Sequence, residues 1–205
     1  MDFLDVVQKR TSIRSFSDKK VDESTLREIC RIGGLAPSIN NYQPWRFVAL
    51  TNKPMMSAIA NAIADKIENL PDGNHEIAIP VKRQVEYFST FFENAPAVIF
   101  IFTSPYESVL EKGVGLSHDD INRMRNYPDM QSVGACIENM LLGTVNLGLG
   151  ACWMSSPLIA KEEIAKILNT ENNLELAGLV AIGYQSKDIP PKTKKEIDTI
   201  FEFVP

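Results

Sequence analysis

Cysteine is scarce: Cys30, Cys136 and Cys152 are the three in 205 residues, none in a CxxC pair and each within an apolar stretch. An odd, unpaired set excludes a disulfide framework and fits small buried hydrophobes in a reducing compartment. Histidine is scarcer still, with His75 and His118 isolated from each other and from any cysteine pair, so no metal centre is expected. The longest pure apolar run, Ala97 to Phe102, has a strand's length and falls far short of the ~18 residues of a membrane span. A cationic excess is lacking too. Lys plus Arg number 21 against 26 Asp plus Glu, a formal net charge of −5, which disfavours sequence-independent nucleic-acid binding. The opening Met1-Asp2-Phe3-Leu4-Asp5 is acidic where a secretory leader is basic. A soluble cytoplasmic protein with neither nucleic acid nor membrane as partner is the expectation.

Several chemical signatures are also missing. Gly148-Leu149-Gly150 begins like a dinucleotide fingerprint, but Trp153 stands at the third glycine position and the segment leads into a strand. There is no GxxxxGK[ST] phosphate loop and no serine in a GxSxG elbow. Any anion site must therefore come from a few placed cations. What is present is the composition of a globular chain, 44% hydrophobic and 23% charged, with a length suited to one domain over residues 1–205.

The periodicities predict alternating helices and strands. Asp2 precedes a short helix with Phe3, Val6 and Val7 on its apolar side. Asp22 precedes a second with Leu26, Ile29, Cys30 and Gly33 at helical spacing, stopped by Ala36-Pro37-Ser38. Trp45 to Leu50 reads as a strand, Lys53 to Glu68 as a helix, 71–74 as a loop and Val81 to Glu93 as a helix. Ala97 to Thr103 reads as a buried strand and 104–128 as a long binding loop or lid. Gln131 to Leu147, apolar on more than one face, is expected to be central. A strand at Gly150 to Met154, a helix at Lys161 to Leu168 and a strand at Leu176 to Tyr184 follow. The layered α/β mixture predicts a sheet flanked by helices. Residues 197–204 carry Ile197, Ile200, Phe201, Phe203 and Val204 with no core of their own, which suits packing on a partner chain.

Three segments hold polar groups in suggestive patterns. In Arg10-Thr11-Ser12-Ile13-Arg14, an extended backbone puts both arginines and the serine on one side, a cradle for phosphate or a planar anion. Alone, it reads better as a solvated basic helix end. Pro37 to Trp45 is a polar loop pinned by two prolines, which suits a polyol or heteroaromatic edge or simply a rigid turn. Lys192-Thr193-Lys194-Lys195 alone is a solvated charge run.

In this order and at these distances, the segments resemble the FMN-dependent nitroreductase family. The likeness is carried by Arg10-x-Ser12-x-Arg14, by Pro37-Ser38-x-x-Asn41-x-Gln43-Pro44-Trp45, by the helix Gly134 to Leu142 followed by Leu147 to Trp153, by Leu179 to Tyr184 and by Lys192-x-Lys194. The resemblance implies a mixed, largely antiparallel central sheet with flanking helices in an intertwined homodimer, the tail from about 190 to 205 lying on the partner. It implies FMN as cofactor and NADH or NADPH as co-substrate. Arg10, Ser12, Lys192 and Lys194 would hold the phosphate and nearby ribityl oxygens, and Arg14 would face the N1–C2=O edge. Pro37, Ser38, Ile39 and Asn41 would reach the flavin bound mainly by the other subunit, and the backbone at Met154, Ser155 and Ser156 would lie by N5. No side chain is implied as acid, base or nucleophile. The implied acceptor is a nitroaromatic, a quinone or a similar small molecule. Alternatives are a dehalogenase or flavin-dependent dehydrogenase of the same family, or a non-catalytic FMN-binding protein. In this chain Phe88 and Phe91 stand where some relatives place Asn and Lys, and Lys194 replaces an arginine.

Overall fold

A computed structural model describes residues 1–73, 75–190 and 192–205. Asn74 of the loop at 71–74, the His75 and Glu76 side chains and Pro191 lie outside the described residues.

The chain begins with α1 (Phe3–Lys9), where Asp2 takes the N-cap position without a side-chain bond. In α2 (Glu23–Gly33) the cap is made: the Thr25 N–H donates to the Asp22 carboxylate at 2.8 Å. That bond and those from Ser24 and Thr25 hydroxyls favour the charged form, and the Asp22 carboxyl is lowered to about 2, the Ser24 bond contributing most. Strand β1 (Trp45–Leu50) leads to α3 (Lys53–Glu68), capped by Asn52, and then to α4 (His75–Thr90). The helix α4 starts before the expected Val81. Pro80 falls early in it and removes one intrahelical bond without ending the helix.

Strand β2 (Ala97–Thr103) is buried at all seven positions. The expected loop at 104–128 contains two helical pieces, a turn at Val109–Lys112 with a Ser108–Glu111 capping box and α5 (His118–Met124) capped by Ser117. Then come α6 (Pro128–Asn146), β3 (Gly150–Met154), α7 (Lys161–Ile167) and β4 (Glu175–Gly183). The strands form one sheet in the order β1-β2-β4-β3, each ladder antiparallel.

Side-chain alternation along β2 feeds two cores. Val98, Phe100 and Phe102 face Met56, Ile59 and Ile63 of α3, with Ile164 of α7 in the same cluster. Ala97, Ile99 and Ile101 face α2 and α6 through Leu26, Ile29, Cys136, Ile137 and Met140. Burial on both faces explains why β2 reads as one continuous apolar run. The packing of α2 on α6 depends on Gly33: a Cβ there would lie 2.5 Å from Met140 Cγ. Among the described residues, no helix is long and apolar enough to cross a membrane.

Candidate functional site

Residues 10–17 leave α1 in extended form and run beside the sheet. Ser12 makes a parallel bridge with Ala151 of β3, where the Ile13 N–H donates to the Ala151 carbonyl at 2.9 Å. Ile13 is buried and packs where Gly150 leaves room, since a Cβ on Gly150 would lie 2.7 Å from Ile13 Cγ1. Anchoring Ile13 inward leaves its neighbours Ser12 and Arg14 half-buried along the edge of β3.

Two ends of this segment meet different elements. At one end, Arg10 Nε lies 3.7 Å from Glu138 Oε1 of α6, the Arg10 side chain being 23% exposed. At the other, the Arg14 guanidinium carbon is 5.8 Å from the centre of the Phe88 ring of α4, within cation–π range. The Ser156 hydroxyl donates to the Phe88 carbonyl at 3.2 Å, joining the turn after β3 to the same place. Nearby on β3 is the buried Cys152 thiol. Burial pushes its pKa up, while the charges of Arg14 and Lys192 and hydrogen bonds from Ser12 and Arg14 pull the other way.

The structure thus brings Ser12, Arg14, Cys152, Phe88 and Ser156 near the end of β3, and the charge of the exposed Lys192 is felt at the Cys152 thiol. Met154 is buried beside them at the strand's end, while Ser155 and Ser156 are exposed. Lys194 is exposed on the tail. Cys152 and Glu138 were not singled out by sequence, because a cysteine in an apolar strand reads as core and a lone acid on a helix reads as its wet face.

Pro37, Ser38, Ile39 and Asn41 go elsewhere. Among the described residues, no hydrogen bond or ion pair joins them to Arg10, Ser12, Arg14 or Lys192. The Ile39 N–H donates to Ser132 Oγ at 3.0 Å near the start of α6, and Ser38 Oγ accepts from the Gln43 N–H at 2.9 Å. Asn40, Asn41 and Gln43 all have left-handed backbones, with φ of 49°, 53° and 52°, a conformation asparagine tolerates better than most residues. The loop is tied to the 104–128 segment: Asn40 Nδ2 donates to Tyr106 OH at 3.3 Å, Tyr42 OH donates to the Pro105 carbonyl, and the two tyrosine rings meet edge to face at 5.4 Å. Within one chain these are two separate constellations.

The chain is similar to known proteins along its whole length. A Haemophilus influenzae protein named "Putative NAD(P)H nitroreductase" is 25% identical over 98% of this chain and 96% of its own length. The crystal structure of a BluB-like flavoprotein from Clostridium difficile is 28% identical, with a TM-score of 0.90 over 100% of both chains. An iodotyrosine deiodinase solved with FMN and 3-iodo-L-tyrosine, 22% identical, shares the fold at a TM-score of 0.72 over 99% of both chains. The model of the nitroreductase family matches residues 7–184, and this chain belongs to that family.

Proposed function

We propose that residues 1–205 form one FMN-binding domain of a homodimeric oxidoreductase that takes a hydride from NADH or NADPH and reduces a nitroaromatic, a quinone or a similar acceptor. The observation that carries this reading is Ser12 and Arg14 held along the edge of β3, with Arg10 of the same segment paired to a carboxylate.

The residues present fit the cofactor. Arg10 attracts an anion, Ser12 offers a hydroxyl, and Lys192 and Lys194 add positive charge from the tail, a set scaled to one terminal phosphate. Arg10, Ser12, Lys192 and Lys194 would hold that phosphate and its ribityl neighbours, Arg14 the N1–C2=O edge, and the backbone at Met154, Ser155 and Ser156 the N5 side. Bound there, the flavin supplies the hydride-accepting and hydride-donating centre. Arg14 places a fixed positive charge at the edge where electron density grows, which favours the reduced form. Phe88 lies within cation–π range of that guanidinium.

The dimer rests on area. The chain exposes 12624 Å², against about 9,600 Å² expected for a compact monomer of its mass, an excess of about 3,000 Å². The excess is apolar in named places: Phe3 and Leu4 of α1, and Ile197, Ile200, Phe201, Phe203 and Val204 of the tail, each more than half exposed. At the other end of the sheet, β1 is an edge strand, open on its outer side among the described residues. Such an edge invites another chain, and the area suits an obligate interface. In that assembly Pro37, Ser38, Ile39 and Asn41 would reach the partner's flavin, which accounts for their separation from the cluster within one chain.

The test is direct. The purified protein should be yellow and release FMN, not FAD, on denaturation. Addition of NADH or NADPH should bleach it, and a nitroaromatic or quinone should restore the colour. The likeness to iodotyrosine deiodinase favours reductive dehalogenation as a second reading. Recolouring by a halogenated phenol with halide release, and not by nitroaromatics or quinones, would select it. A coloured protein that NAD(P)H does not bleach would leave a flavin-binding protein without this activity. A colourless protein that takes up no added FMN would exclude the flavin reading altogether.

A further inference from the structure

The partner of Arg10 is a residue that the proposed cofactor site does not use. Glu138 is the one acidic residue of α6 beyond its first turn. Around it the helix is apolar, with Val133, Cys136, Ile137, Met140 and Leu141 buried. Its carboxylate turns to Arg10, Oε1 at 3.7 Å from Nε, and is 48% exposed. This is a side-on, loose ion pair: too long for a hydrogen bond, and made to the inner nitrogen of the guanidinium. The Arg10 N–H caps α1 on the Val6 carbonyl, but among the described residues its side chain has no other ion pair and no hydrogen bond, so both terminal nitrogens of its fork remain available. A guanidinium only 23% exposed has given up much of its water and gains from a nearby anion.

We propose that Glu138 is the internal counter-ion of Arg10, which the flavin phosphate must share or displace, so that Glu138 sets the affinity for phosphorylated flavin below what the cation cluster alone would give. The inference rests on the reading of Arg10 as a phosphate holder. Its physical basis is short. A phosphate on the free fork of Arg10 lies within a Debye length of the Glu138 carboxylate, and the two negative charges repel. The cation that attracts the phosphate is already partly neutralised. Gln at position 138 keeps the length and shape of the side chain and removes the charge, so the variant alters the electrostatics at Arg10 with little change in packing.

The experiment compares FMN with riboflavin, which has the same ring and ribityl chain and no phosphate. Full-length protein stripped of flavin is titrated with each, binding being followed by quenching of flavin fluorescence. Glu138→Gln should bind FMN about 3- to 10-fold more tightly, the scale of one screened charge pair. Its riboflavin affinity should stay within about twofold. Melting the flavin-free proteins provides a second readout: Glu138→Gln should melt lower than wild type without flavin, because Arg10 loses its counter-ion, and should gain more on saturation with FMN. Unchanged FMN affinity, weaker FMN affinity or an equal gain for riboflavin would each overturn the proposal, the second by making Glu138 a positioning residue for Arg10. A wild-type chain that binds neither flavin overturns the cofactor reading and this inference together, whereas a wild-type chain that binds FMN with no effect of Glu138→Gln overturns the inference alone.

Discussion

The guanidinium of Arg14 sits over the ring of Phe88, 5.8 Å from its centre, and the Phe88 carbonyl is held by Ser156. One element of the cradle is thereby steadied by a helix far away in sequence. If Arg14 faces the flavin ring, Arg14→Gln should lower the two-electron midpoint potential of the bound flavin, with roughly 30 mV for each 1.4 kcal/mol of lost preference for the reduced form. Phe88→Leu should shift the potential in the same direction by less, and Phe88→Tyr should keep it near wild type. Spectroelectrochemical titration measures all three, and an unchanged midpoint in FMN-loaded Arg14→Gln would remove Arg14 from the mechanism.

Arg10→Ala should weaken FMN binding by about 1.5–3 kcal/mol, the usual worth of a hydrogen bond to a charged group. Oxidised-flavin affinity should suffer more here than in Arg14→Gln, because Arg10 is assigned to the phosphate and Arg14 to the ring. Equilibrium dialysis with FMN tests this, and equal losses in the two variants would contradict the division of labour.

Gly150→Ala should disturb the cradle without touching a polar group. The added Cβ would lie 2.7 Å from Ile13 Cγ1 and 2.9 Å from Ile13 Cβ. Pushing Ile13 outward breaks the register that presents Ser12 and Arg14. Overpacking of this kind costs about 1–3 kcal/mol, to be read from denaturant unfolding, and FMN affinity should fall with it. Normal stability together with normal FMN affinity would show that the 10–17 segment has slack.

Removal of residues 190–205 should yield a chain without flavin and with poor solubility, since Lys192, Lys194 and the apolar tail leave together. Sedimentation of the intact protein at micromolar concentration should show a dimer. A flavin-loaded monomer would refute the assembly.

The three cysteines should be slow toward thiol reagents at pH 8. Burial raises Cys30 to about 11, Cys136 to about 12, and Cys152 above its ordinary value. The unfolded thiols ionise near pH 9 and the folded ones later, so the unfolded state loses protons first as pH rises. Stability should be intact below about pH 9 and fall from there toward about 11–12. Three rapid thiols in the native protein at pH 8, counted with a chromogenic disulfide, would contradict this burial.

Much of the fold was legible because local and tertiary signals agreed. Asp22 with its helical run, the fully apolar β2 and the two-faced α6 each state their environment in their own residues. The helices inside 104–128 were not legible, since Gly113, Gly115 and Pro105 outweigh two short polar turns, although the Ser108–Glu111 capping box was a signal in plain view. Pro80 hid the start of α4 for the same reason. At the site, Arg10, Ser12 and Arg14 were readable as one extended side. What sequence did not show was their surroundings: Glu138, Cys152 and Phe88 reach the segment only through the packing of α6, β3 and α4 around it.

The rung between Ile13 and Ala151 has a consequence for how the molecule breathes. Main-chain hydrogen bonds fasten the arm carrying Arg10, Ser12 and Arg14 to the rim of the sheet, from Ile13 to Ala151 and, further along, from Ser17 to Tyr184 and from Ser186 to Ser15. Letting go of a ligand and peeling that arm from the rim therefore draw on the same local opening. The Ile13 amide, an isotopic clock for that opening, should exchange its proton with solvent deuterium more slowly once an anion bridges the arm to the tail lysines, while amides deep in β2 keep their pace.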